Sequence, residues 1–201
     1  MVFEDFRSVD TSGFEFTNPD GSGLLTLGEF GYVTGTLARQ KGLPGVYKGG
    51  AYYDGERVHE LSTGNDAHGT WGIYALGQQM VYSENKDFNQ GLTVWGALSY
   101  APPDRNAISF MAAGGVTYQG LIPGRPWDRA SFIGAYGGFS SDLDGTNTCD
   151  QTFEGLLELN YRYQPAEWLF IQPDIQYVVK PDGRTDINDA FVISLAFGLT
   201  L

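Results

Sequence analysis

The sequence predicts an all-β fold: a transmembrane, antiparallel, up-and-down β-barrel. Three observations carry this. The first is the C-terminal segment Phe191-Val-Ile-Ser-Leu-Ala-Phe-Gly-Leu-Thr-Leu201, which alternates through its final residue. Phe191, Ile193, Leu195, Phe197, Leu199 and Leu201 share one face, while Val192, Ser194, Ala196, Gly198 and Thr200 share the other. A strand has a side-chain period of two, so large apolar groups line one surface and small or polar groups the opposite one. The second is that alternating or near-alternating segments recur between turn signals along the chain, at the spacing of a barrel meander. The third is their length. Soluble strands have a mode of about 5–6 residues, whereas tilted membrane strands need about 9–11.

In chain order the segments are Leu24–Thr36, Val46–Asp54, Thr70–Ser83, Gly91–Tyr100, Ala107–Gln119, Ser131–Ser141, Thr152–Tyr163, Trp168–Val179 and Ala190–Leu201. Residues 1–9 read as one further strand or the remnant of one. The stretch from Asn106 to Gly124 carries no charge and has the length of a spanning helix. It also alternates and contains Gly114, Gly115 and Gly120. Each interior glycine would cost a helix about 1 kcal/mol relative to alanine, so a strand is expected there. No segment shows helical periodicity with caps, and no linker separates two compositions. Residues 1–201 therefore read as a single β-barrel region.

Alternation is clearest toward the C-terminus. In Thr152–Tyr163 one face has Phe153, Leu157, Leu159, Tyr161 and Tyr163, and the other has Glu154, Glu158, Asn160 and Arg162. In Trp168–Val179 one face has Leu169, Ile171, Ile175, Tyr177 and Val179, and the other has Phe170, Gln172, Asp174, Gln176 and Val178. A soluble sandwich would bury the apolar face; a membrane barrel would turn it to lipid and let the polar face line a channel. Periodicity alone leaves both open. Aromatics near segment ends (Tyr161, Tyr163, Trp168, Tyr177, Phe191) favour the barrel, whose interfacial girdles they match.

Composition narrows the function classes. A net charge of −12 argues against nucleic acid, which needs clustered Lys and Arg. Mean hydropathy is mildly negative, at −0.22, which argues against a helical membrane protein. One cysteine, Cys149, excludes an internal disulfide framework and a cysteine-based zinc site. The N-terminal residues Met1-Val-Phe-Glu-Asp-Phe-Arg7 lack the basic leader and apolar run of a signal peptide. The reading is that a leader was removed or the chain starts partway through a longer protein. With the C-terminus periplasmic, as in known barrels, Gln164-Pro-Ala-Glu167 is a tight periplasmic turn. Asp142–Gln151 and Lys180–Asp189 are then outer loops, rich in Asp and Gly.

Four stretches, Gly72-Ile-Tyr-Ala-Leu-Gly-Gln-Gln-Met80, Tyr100-Ala-Pro-Pro-Asp-Arg-Asn106, Tyr118-Gln-Gly-Leu-Ile-Pro-Gly-Arg125 and Trp168-Leu-Phe-Ile-Gln-Pro-Asp-Ile-Gln-Tyr177, resemble the carbohydrate-selective porin family of the OprB type. The resemblance runs from about Gly45 to Leu201. It implies an outer-membrane porin for passive, carbohydrate-selective diffusion of sugars into the periplasm, in contact with outer-membrane lipid. It also implies a sixteen-stranded barrel from a chain about twice this length, of which this sequence resembles the C-terminal half. About nine or ten strands of that barrel are expected here. A homotrimer is a further possibility at full length, since trimers are common among porins.

A sugar channel needs no nucleophile, metal or cofactor. It needs polar groups that replace water around hydroxyls, and aromatic faces that stack on the apolar side of a pyranose. Candidate pore-lining contacts for mono- or small oligosaccharides are Glu154, Glu158, Asn160 and Arg162 on one strand and Gln172, Asp174 and Gln176 on its neighbour. Ions of both signs on adjacent inner faces would set a transverse field. Arg105 and Arg125 are added as loop cations that could reach a constriction; the alternative for Gly120-Leu-Ile-Pro-Gly-Arg-Pro126 is a purely structural turn. His59 and His68 fall in a predicted loop with Glu56, Glu60 and Asp66, at a spacing that fits no ordinary zinc site. Asp142–Asp150 faintly resembles a calcium loop, yet the twelfth position is Phe153 rather than a bidentate Glu. No phosphate loop, nucleophile elbow or dinucleotide fingerprint occurs, so no enzyme is expected. The alternative function is a non-conducting barrel with a structural or surface-binding role.

Overall fold

The computed structural model describes residues 23–35, 42–84, 90–145 and 151–199. The described residues form one sheet of nine strands in sequence order, each antiparallel to the next. The strands are β1 Leu25–Thr34, β2 Gly45–His59, β3 Asp66–Ser83, β4 Gly91–Tyr100, β5 Ile108–Gln119, β6 Arg129–Phe139, β7 Phe153–Ala166, β8 Leu169–Val179 and β9 Ala190–Leu199. Every strand expected from Leu24 to Leu201 is present. The possible strand at residues 1–9, Cys149 and the last two residues lie outside the described residues. Among the described residues β1 and β9 each have one neighbour and do not pair with each other, so the described sheet is open.

Strand boundaries differ most from expectation at the β2–β3 hairpin and at the β7–β8 turn. β2 and β3 run to 15 and 18 residues, so His59 and His68 belong to strands rather than to a loop. A register shift between Asp54 and Arg57 carries the pair onward, and His59 faces Asp66 across the ladder with Nδ1 2.7 Å from Oδ1. Alternation is lost at that bulge, which is why periodicity ended the strand at Asp54. The Gln164–Glu167 turn is tighter than expected. β7 continues to Ala166, and the chain reverses over Glu167 and Trp168.

Among the described residues no second layer covers the sheet. Among the described residues the buried apolar side chains are Met80, Ala101 and Leu143 alone. On β9, Phe191, Ile193, Leu195, Phe197 and Leu199 are 64%, 71%, 66%, 74% and 60% exposed. Each such side chain left in water forfeits about 1.5–3 kcal/mol of burial, and contiguous apolar surface of this extent is rare on soluble monomers. Register carries the same face through Ile175, Leu159, Phe132 and Val116, all exposed. This rules out the sandwich: the apolar face is an outer surface, and what would have been a core is absent from the described sheet.

Candidate functional site: the polar face of the sheet

The opposite face is a wall of hydrogen-bonding side chains. One register row runs Thr93–Thr117–Ser131–Asn160–Asp174–Ser194 across β4 to β9. The Thr117 and Ser131 hydroxyls lie 3.1 Å apart, and Ser194 Oγ donates to Asp174 Oδ2. The next row passes through Gln78, Trp95, Gly115, Ile133, Glu158 and Gln176. Glu158 joins the two rows by accepting from Asn160 Nδ2 at 2.7 Å and Gln176 Nε2 at 3.2 Å. A strict period of two on paired antiparallel strands brings these groups together from positions far apart in sequence.

The sequence-predicted residues divide into two sets. Glu158, Asn160, Asp174 and Gln176 meet in the network above, with Arg162 and Gln172 one step along the same face. Asn160 and Asp174 are each 8% exposed. Asp174 Oδ1 and Arg162 Nε are buried without a hydrogen-bond partner among the described residues, while the Arg162 guanidinium lies 3.7 Å over the Phe170 ring. These groups form a network whose hydrogen-bonding capacity is not saturated among the described residues.

Glu154, Arg105 and Arg125 instead brace the ends of strands. Glu154 Oε2 accepts the backbone N–H of Asp182 at 2.6 Å in the β8–β9 connection. Arg105 donates to the carbonyls of His68 and Gly69 at 3.1 and 2.6 Å and sits 3.8 Å from Glu60, tying the β4–β5 connection to the β2–β3 hairpin. Further stitches at this rim run from Leu61 N to Asp104 O, Ser140 N to Ala107 O and Thr152 N to Gly183 O, each 2.8 Å. Asp189 accepts from Tyr177 OH at 2.6 Å and Lys180 N at 3.0 Å, and those bonds hold its carboxyl below the usual range.

At the other rim, Arg125 belongs to a clamp. Asp128, 2% exposed, accepts from Arg125 Nε and Nη2, Tyr161 OH and the backbone N–H of Gln164. The Arg125 guanidinium lies 4.0 Å over the Tyr163 ring. Gly120 and Gly124, with φ of 81° and 82°, let the Leu-Ile-Pro stretch turn sharply enough to return Asp128 beneath the strand ends. Bonding to Arg125 above all, then to Tyr161 and Gln164, outweighs burial and pulls the Asp128 carboxyl down to about 2. The same pairing raises the Arg125 guanidinium further above its ordinary value. The Pro-Gly-Arg run is thus a structural turn locked onto β7.

Sequence reasoning missed two features. Asp128 reads as one more polar turn residue until Tyr161 and Gln164, more than 30 positions away, are seen to point at it. On β1 to β3, Glu29 accepts from Lys48 Nζ at 2.9 Å and Tyr74 OH at 2.7 Å, an ion pair and phenol on the polar face. The alternation of β1 and β2 carried the signal, but partners 45 residues apart become neighbours through register alone. Among the described residues no three His, Cys, Asp or Glu converge as a metal site would require.

The chain matches the family described as carbohydrate-selective porin, OprB family, over residues 2–201. It is 26% identical over 217 residues to Porin B of Pseudomonas aeruginosa, covering 92% of this chain and 47% of that protein. To the putative porin QuiX of Acinetobacter baylyi it is 26% identical over 188 residues, covering 81% and 42%. The high-pH structure of Pseudomonas putida OprB superposes with a TM-score of 0.81 at 22% identity, covering 93% of this chain and 51% of that one. The low-pH structure of the same protein gives 0.57 at 20% identity. The chain therefore spans about half the length of the relatives it matches, and its open nine-stranded sheet corresponds to part of their barrel. With an apolar outer face, a hydrogen-bonding inner face and a family match along nearly its whole length, this chain belongs to the carbohydrate-selective porin, OprB family.

Proposed function

We propose that this chain forms part of the wall of an outer-membrane pore through which mono- and small oligosaccharides diffuse passively into the periplasm. The observation that supports this best is the unbroken hydrogen-bonding row from Thr93 to Ser194, set back to back with an exposed apolar face. In this reading the apolar face meets outer-membrane lipid. Glu158, Asn160, Arg162, Gln172, Asp174 and Gln176 line the water path, replacing hydration around sugar hydroxyls as they pass. Glu154, Arg105 and Arg125 hold the rims that set the spacing of that wall. The short turns after β5 and β7 face the periplasm, and the stitched connections after β2, β4, β6 and β8 face outward. Transport needs no catalytic group and no energy coupling.

The test is swelling of liposomes containing the full-length protein that carries this chain. Monosaccharides should drive faster swelling than a salt of comparable size. Equal rates would remove the sugar preference, and no swelling would remove the pore and favour a non-conducting barrel.

A further inference from the structure

At the rim that carries the turns after β5 and β7, two arginines share the polar face. Arg129, the first residue of β6, stands directly opposite Arg162 of β7, two residues along from the Ser131–Asn160 pair. Like charges directly opposite one another in a sheet repel. Lys48, Arg105, Arg125 and Arg184 each pair with a carboxylate. Among the described residues Arg129 and Arg162 form no ion pair, and Arg162 Nε is buried without a hydrogen-bond partner. The carboxylates adjacent to them in sequence and register are engaged elsewhere. Asp128 accepts from Arg125, Tyr161 and the Gln164 N–H, and Glu158 accepts from Asn160 and Gln176. Asp174 accepts from Ser194 through one oxygen, and its other oxygen is buried and unpaired.

Arg162 is placed by a stack of three layers. Phe170 stands opposite Gly198 on β9, and the three atoms nearest a Cβ added at Gly198 would all belong to the Phe170 ring, the closest at 2.1 Å. The ring therefore lies over bare backbone, and the Arg162 guanidinium lies 3.7 Å from the ring centre. A ring beneath a guanidinium engages its flat face and leaves its N–H edge free to donate. Arg129 is exposed and offers a second fork from the adjacent strand. Opposed residues on paired strands have Cβ atoms about 4.5–5.5 Å apart, so two side chains as long as arginine can converge on one oxyanion. Forked donation to the oxygens of a carboxylate or phosphate is the strongest pairing a guanidinium makes. The chain as a whole, with a net charge of −12, repels anions, so a doubly positive patch is a local foothold for them.

We propose that Arg129 and Arg162, with Phe170 as platform, form an oxyanion site for small acidic solutes, taking the carboxylate of a sugar acid or the phosphate of a sugar phosphate. Its role in passage rests on the pore reading.

The test is calorimetric titration of the full-length protein that carries this chain, in detergent at low salt, where exposed charges are least screened. The titrants are gluconate, glucose 6-phosphate and glucose. Arg129→Gln should weaken binding of the acidic solutes about threefold, and Arg129→Gln combined with Arg162→Gln about tenfold. Phe170→Leu, which keeps both charges, should weaken it about twofold by freeing the Arg162 guanidinium. The glucose titration should be the same for the wild type and Arg129→Gln. A loss confined to one of the two acids would assign the site to that acid's group. Unchanged affinity for both acids in the double variant would overturn the site, as would failure of the wild type to bind either. Conductance of the same protein in planar bilayers separates the two readings. A conducting wild type without arginine-dependent binding removes the site and keeps the pore, whereas arginine-dependent binding to a non-conducting protein removes the pore and keeps the site.

Discussion

The two wings of the sheet build a polar face by different means. On β7 to β9 the wall is made of short carboxylates, amides and hydroxyls that bond to the adjacent strand, as Glu158 does to Gln176 and Ser194 does to Asp174. On β1 to β4 it is made of aromatic rings laid over glycines, with an exposed ion pair between Glu29 and Lys48. The first wing is positioned by hydrogen bonds and the second by sterics. Each should therefore fail in its own way: removing a carboxylate from the ionic wing orphans its donors, whereas adding a methyl group to the aromatic wing displaces a ring.

The largest effect is expected at the clamp that anchors the ionic wing. Asp128→Ala strips the acceptor from Arg125, Tyr161 and the Gln164 N–H together. A cost of about 2–3 kcal/mol is expected, because hydrogen bonds to a buried charge are involved. Urea unfolding in detergent micelles measures it, and a cost below about 0.5 kcal/mol would mean β7 is held by its ladder alone. The same clamp carries a pH signature. Its carboxyl lies at about 2 when folded against 3.8 ordinarily, so its contribution is fully present above about pH 4 and is lost as pH falls through about 2. Wild-type stability should drop over that interval more steeply than that of Asp128→Asn, with the two curves parallel at higher pH.

Next in size is Glu158→Ala, which leaves the Asn160 and Gln176 amides without their acceptor. About 1–2 kcal/mol is expected, together with reduced preference for cations over anions measured as reversal potential across a salt gradient. The matched change on the aromatic wing, Lys48→Met, should be the smallest. Its partner Glu29 and Lys48 itself are 33% and 42% exposed, so the ion pair is worth about 0–1 kcal/mol. Equal costs for these two substitutions would erase the distinction between the wings.

The sequence made the strands legible because outward apolar residues alternate with inward polar ones, most plainly on β7, β8 and β9. Glu158, Asn160, Asp174 and Gln176 could be placed on one face for the same reason. Other features depend on register, which alternation does not specify. Asp128 and Tyr161, Glu29 and Tyr74, and the tyrosines over Gly50 and Gly72 are far apart in sequence and meet only through strand pairing. His59 and His68 were misplaced because the bulge after Asp54 breaks the alternation that marks a strand. On β5 and β6, alanine and glycine occupy both faces, so the pattern there distinguishes inside from outside weakly.

The central claim, that the faces of this sheet meet different solvents, is tested most directly on β9. With Cys149 replaced by serine, single cysteines at Ser194 and Ala196 are compared with cysteines at Ile193, Leu195 and Phe197 in the full-length protein in liposomes. Cysteines at Ser194 and Ala196 should react with a small water-soluble maleimide. Fluorophores attached at Ile193, Leu195 and Phe197 should be quenched by lipids brominated in their acyl chains. Equal labelling and equal quenching at both sets of positions would contradict the account.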